Sequence, residues 1–184
     1  KDPSNYLENI EGDLISSQGT IFPNEVKNKW GFVLCCGFQL FRSTQSCLRF
    51  LESTIPRLEK TKDDQIAINL ELFDNQIEWN YSSSYKLELN GNKFNCFNEI
   101  LYGITKYKMK VALLPHKYFQ RLIEKQSLNA FILHPLTAKT EESKIAFIKG
   151  YFKNDNLLNS ASLKSSSSEL LEHQNIIWIA SYPR

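Results

Sequence analysis

The sequence predicts an α/β fold, and three observations carry that prediction. A nearly continuous apolar run, Gly31-Phe32-Val33-Leu34-Cys35-Cys36-Gly37-Phe38-Gln39-Leu40-Phe41, suits a strand covered on both faces. Two segments of helical periodicity follow it, and from residue 77 to residue 115 the pattern changes to short alternating segments. With 184 residues, 42% hydrophobic and 12% aromatic, the chain holds enough apolar material for one packed domain, which excludes disorder of the whole chain.

After the first strand, Ser43 and Thr44 offer N-cap oxygens, and Cys47, Leu48, Leu51, Ile55 and Leu58 recur at helical spacing. This predicts a helix over about 44–54, with Pro56 disturbing or ending it. Asp63 or Asp64 caps a second helix, whose apolar face carries Ile66, Ala67, Leu70 and Phe73. Tyr85, Leu87 and Leu89 alternate up to a turn at Asn90-Gly91, which predicts a hairpin. Lys110 to Pro115 reads as a strand, and Ala130 to Leu133 as another that ends at His134-Pro135. Thr140 caps a helix over about 141–152, in which Ile145, Ile148 and Phe152 share a face. The serine-rich stretch from Asn154 to Ser168 reads as linker, and Ile176 to Ala180 as a further strand.

Charge and cysteine content narrow the function classes. Lys and Arg number 22 against 20 Asp and Glu, so the balance does not favour a polyanion partner. Lys106, Lys108 and Lys110 alternate along a strand edge, a pattern that is also that of an ordinary solvated face, and nucleic-acid binding is the weakest reading. No apolar run approaches the ~20 residues that span a bilayer, and the sequence contains no export segment. Cys35, Cys36, Cys47 and Cys96 form no CxxC pair and no Cys/His metal cluster. They read as small buried hydrophobes in a reducing, cytoplasmic compartment, with the adjacent Cys35 and Cys36 directed to opposite faces of their strand.

Three elements could carry chemistry. Asp63-Asp64-Gln65 stands at a helix start, where carboxylates favour the positive helix end, although plain capping explains it equally. His134 ends an apolar strand, where open α/β sheets place their ligand crevices and where an imidazole can meet a metal. Lys144, ten residues on, could reach a phosphate or simply be solvated.

The order of pieces adds to this. Lys1-Asp2-Pro3, Gly12-Asp13, Cys36-Gly37-Phe38-Gln39-Leu40-Phe41-Arg42-Ser43-Thr44 and Asp64-Gln65-Ile66-Ala67-Ile68-Asn69 together resemble the nucleotide-diphospho-sugar transferase family, whose members have the GT-A glycosyltransferase fold. The resemblance continues through Leu113-Leu114-Pro115, Phe119, His134 and Lys144, covering roughly residues 1 to 152. It implies a GT-A-like mixed sheet with flanking helices, and a metal-binding Asp-x-Asp and first nucleotide-binding strands lying before Lys1. It implies that His134 is a ligand of the Mn²⁺ or Mg²⁺ that neutralises the donor diphosphate, and that Asp64 and Gln65 lie beside the donor sugar as catalytic residues. Cys36 and Gly37 fall in the substrate-binding strand, and Lys144 would stabilise the departing diphosphate. Where many members carry Asn-Cys-x-Gly after the His, this chain has Pro135-Leu136-Thr137-Ala138.

The end of the chain, Ile176-Ile177-Trp178-Ile179-Ala180-Ser181-Tyr182-Pro183-Arg184, is similar to the opening of sulfotransferases. In those, an apolar strand runs into a loop that cradles 3′-phosphoadenosine 5′-phosphosulfate, and Arg184 would take part in that loop. The expected organisation is a glycosyltransferase part over 1–153, a linker over 154–174 and the start of a sulfotransferase domain over 175–184. Its partners would be a nucleotide-sugar donor and a glycan acceptor. A non-catalytic carbohydrate-binding or scaffold domain on the same framework is the competing reading.

Overall fold

The computed structural model describes residues 3–89, 91–121 and 130–134, together with 142, 143, 145 and 146. Its elements are α1 (Ser4–Glu8), β1 (Leu14–Gln18), α2 (Asn24–Trp30), β2 (Leu34–Phe41), α3 (Gln45–Thr61), α4 (Asp64–Asp74), β3 (Glu78–Trp79), β4 (Ser84–Leu89), β5 (Asn92–Phe97), β6 (Leu101–Ile104), β7 (Lys110–Leu113), β8 (Phe119–Gln120) and β9 (Ile132–Leu133). Five strands make one mixed sheet in the order β2-β1-β7-β6-β3. β1 and β7 are parallel at its centre, and the other pairings within it are antiparallel. β4 and β5 form a separate hairpin, while β8 and β9 pair in parallel.

The pleat sends successive residues of the central strands to opposite sides. Leu14 and Val111 enter a core with Val26, Trp30, Phe50 and Leu72, beneath α2, α3 and α4. Ile15 and Ala112 enter a second core with Ile10, Phe119 and Ile132, which α1, β8 and β9 cover. A mixed sheet flanked by helices is thus the observed architecture, as the sequence predicts.

The strand at the centre is the one that the apolar pattern misses. β1 reads Leu-Ile-Ser-Ser-Gln, and all five residues are buried. Two of its polar side chains bond distant backbone: Ser16 Oγ donates to the Cys35 carbonyl at 3.2 Å and Gln18 Nε2 to the Asn95 carbonyl at 2.9 Å. Gly31, which looks like the start of the apolar strand, instead closes α2 in the left-handed region (φ 84°), its N–H donating to the Lys27 carbonyl. β2 proper begins three residues later, at Leu34.

One helix boundary also differs from expectation. α3 runs through Pro56 to Thr61 rather than ending near residue 54. A proline removes the donor that the carbonyl of Glu52 would have used, and that turn is solvent-exposed, so little is lost. Buried Cys47, Phe50 and Thr54 hold the helix to the core before the break. For α4 the cap is Asp63, whose Oδ1 accepts from Ile66 N–H at 2.9 Å; Asp64 is the first helical residue. The β4–β5 hairpin forms as expected, with Gly91 at φ 74°; Asn90 lies outside the described residues. Lys106 and Lys108 sit in the turn between β6 and β7, not on a strand, and Lys110 Nζ pairs with Glu11 at 3.0 Å. The three lysines therefore do not line one strand face. Residues 142, 143, 145 and 146 are helical, in the predicted helix; Lys144, the 154–174 stretch, the 176–180 strand and Arg184 lie outside the described residues.

β2 is an edge strand, and α4 closes its outer side. The buried Asn69 carboxamide accepts from Leu34 N–H at 2.8 Å and donates to the Leu34 carbonyl at 2.9 Å, imitating a neighbouring strand. It also donates to the Gln65 carbonyl of its own helix. Replacing it by Leu strands both Leu34 groups in the core; an Asn69→Leu chain should lose about 3 kcal/mol in urea unfolding. A loss under about 1 kcal/mol would mean that the clamp is incidental.

Candidate functional site

The site begins with an irregularity in β2. Gln39 pairs with Ser16 and Cys35 with Ser17, so Cys36, Gly37 and Phe38 all fall between two consecutive residues of β1. Such a bulge bends a strand and re-aims its side chains. Cys35 then faces His134, with its Sγ 3.4 Å from His134 Nδ1, while Cys36 packs against the core under the helices. The two thiols lie on opposite sides, as expected, and none of the four cysteines is in a disulfide.

His134 directly follows β9, and its backbone is fixed at both ends. Its N–H donates to the Gln120 carbonyl at 2.8 Å, and its own carbonyl accepts from Arg121 Nη1 at 3.0 Å. Burial pulls the Arg121 guanidinium below its ordinary pKa, a pull that the nearby Cys35 opposes. The imidazole rests on Gly37, where a Cβ would collide with the ring. Only a glycine lets the ring come this close to the backbone, and the Gly37 N–H also points at Cys35 Sγ, at 3.4 Å.

On the other side of the bulge stands the start of α4. Asp64 is exposed, and one of its oxygens accepts from Gln65 N–H at 2.9 Å. Gln65 has a structural tie: its Nε2 donates 3.0 Å to the Phe22 carbonyl in the loop after β1. Cys36 feels both flanks. Burial pushes its thiol far up, and the fields of Asp64, Cys35 and Asp63 push further, against a smaller lowering by Gln39. Cys36 is consequently a neutral thiol at physiological pH, a packing group and not a nucleophile. Of the residues singled out in the sequence, Cys36, Gly37 and His134 come together at the bulge, and Asp64 lies within electrostatic reach of Cys36.

Several motif residues serve the fold. The Asp13 carboxylate accepts from Thr44 Oγ1 at 2.6 Å and from Lys110 N–H at 2.7 Å, joining β1, β7 and the start of α3. Thr44 in turn caps α3 through Cys47 N–H. Arg42 Nη2 donates to the Ile10 carbonyl at 2.7 Å, just past α1. A divalent cation finds little here: among the described residues no three His, Cys, Asp or Glu side chains are grouped to hold one. With Nδ1 turned to Cys35, His134 can offer a metal its Nε2 alone. The described residues do not fit a metal centre by themselves.

Residues 1–148 match the nucleotide-diphospho-sugar transferase family. The chain belongs to that family. No curated protein and no solved structure matches it. For a nucleotide-diphospho-sugar transferase, a mixed sheet flanked by helices is the expected framework, and the chemistry expected of this member is glycosyl transfer from a nucleotide sugar. Among the described residues no helix is long and apolar enough to cross a membrane.

One titratable residue at this sheet edge escapes the sequence reading. His116 lies two residues beyond Leu114, the extension of β7, and is buried; burial lowers its pKa to about 4. Tyr85 Oη lies 2.9 Å from its Nδ1, tying the β4–β5 hairpin to the sheet. The available signal was a Pro-His pair directly after an apolar strand. Because the folded protein binds this proton more weakly than the unfolded chain, stability is complete above pH 6.5 and falls as the pH drops towards 4. The expected loss is up to about 3 kcal/mol, measured by unfolding across that range, and His116→Gln should flatten the slope. Equal slopes in both chains would remove His116 as the cause. The bulge gives a second test: Gly37→Ala should expel the His134 ring from Cys35, seen as a changed imidazole NMR signal, with a loss of about 1–3 kcal/mol. An unchanged His134 signal would show that the ring does not depend on Gly37.

Proposed function

We propose that this chain is part of an enzyme that transfers sugar from a nucleotide-diphospho-sugar to a glycan, with the β2 bulge as the donor-facing surface. The observation that carries this reading is the close seat of His134 on the bare backbone of Gly37, within the strand and helix start that resemble the family pattern. His134 would face the diphosphate and its Mn²⁺ or Mg²⁺ as one ligand among several. Exposed Asp64, at the positive end of α4, would face the sugar hydroxyls or the positive charge that grows on the sugar ring during transfer. Gln65 supports this surface by holding the Phe22 loop against α4, which makes it a positioning residue. Lys144 would meet the leaving diphosphate. Arg184 and a following 3′-phosphoadenosine 5′-phosphosulfate site belong to the same proposal only through the sequence likeness of residues 176–184.

A second reading, a carbohydrate-binding domain without turnover, draws support from the structural employment of Gln65 and Asn69, since a motif kept for folding survives loss of catalysis. The two separate in one experiment. Titration with uridine and guanosine diphosphates, each with and without Mn²⁺, should show metal-dependent binding that weakens about tenfold in His134→Ala, the loss of one metal ligand. Asp64→Asn should leave diphosphate binding intact and lower sugar transfer at least tenfold. Glycan binding with no nucleotide binding in the unmodified chain would favour the second reading.

A further inference from the structure

The end of the sheet where β6 turns into β7 carries a cavity that the donor site does not use. It has a volume of about 600 Å³, within the usual range for small-molecule sites, and lies where β6 ends and β7 begins. One wall is a polar face of α3, with Ser46, Arg49, Ser53 and Arg57 three or four residues apart and so stacked along one side of the helix. The other wall is the turn from Thr105 to Met109, with the end of α4 between them.

Its charges do not balance. Arg49, Arg57, Lys106 and Lys108 line it against Glu71 and Asp74. Arg57 already engages both carboxylates, through Nε at 3.2 Å to Glu71 and through Nη2 to Asp74. Two positive charges are left over, and they match the charge of a phosphate monoester, which is about −1.5 to −2 at neutral pH. Phe50 and Met109, both buried, give the floor an apolar surface, and exposed Tyr107 stands at the rim beneath Lys106.

The wall is built before any ligand arrives. Lys106 N–H donates to the Asn75 carbonyl, Lys108 N–H to the Thr105 carbonyl, and Met109 N–H to Thr105 Oγ1. Lys108 sits at φ 66°, in the left-handed region that glycine fills without strain. A lysine held there costs stability, and the residue lines the cavity. We infer that this cavity is a second binding site, taking a small phosphate-bearing ligand such as a sugar phosphate.

Calorimetric titration of the 184-residue chain with glucose 6-phosphate and inorganic phosphate, with glucose as neutral control, tests this. Saturable binding of the two phosphates and not of glucose is expected. Lys108→Gly should raise the melting temperature yet weaken binding about tenfold, so the loss cannot come from unfolding, and Arg49→Gln should weaken it similarly. His134→Ala should bind as the unmodified chain does, which keeps the result independent of the donor-site proposal. No saturable binding, unchanged binding in both cavity variants, or a loss confined to His134→Ala would each overturn the inference.

Discussion

The arrangement depends on the outer side of β2 being closed by a side chain instead of a strand. Asn69 takes both backbone groups of Leu34 and so sets α4 against the strand at a fixed height. That height places Asp63 and Asp64 beside the bulge and brings Gln65 to the Phe22 carbonyl. A β-sheet edge normally exposes such backbone groups as a template for other chains. Here a single carboxamide satisfies them and joins the helical layer to the sheet.

The candidate site is then a product of backbone more than of reactive side chains. Crowding three residues of β2 opposite one step of β1 opens room for an imidazole, and glycine at the crowded position supplies the room. Cys36 is held neutral by burial and by carboxylate fields, and Cys35 is enclosed between His134 and Gly37 N–H.

Much of this was legible in the sequence, for reasons that differ by element. α4, the β4–β5 hairpin and β7 follow from capping, turn chemistry and apolar patterning, each a local property. β1 was not legible, because its serines and glutamine are buried by partners far along the chain, Cys35 and Asn95, which no window can see. Pro56 misled because a lost helical bond costs little on an exposed turn of a helix anchored by Cys47, Phe50 and Thr54. The site was half legible. Gly37 and His134 stand 97 positions apart, and the motif order brings both into view, but the contact between them exists only in three dimensions. Gln65 looked chemical in the motif, and the structure gives it and Asn69 backbone work; side-chain amides do both equally well.

The central parallel pair has a consequence for how the molecule comes into being. Leu14 lies opposite Val111, so the middle of the sheet joins segments roughly a hundred residues apart, among the most costly closures a chain of this size makes. During synthesis β1 emerges well before β7, and its pairing with β7 waits until Leu113 has left the ribosome. Its polar sequence suits that wait: a nascent strand carrying Ser-Ser-Gln is a far weaker seed for aggregation than an apolar one would be.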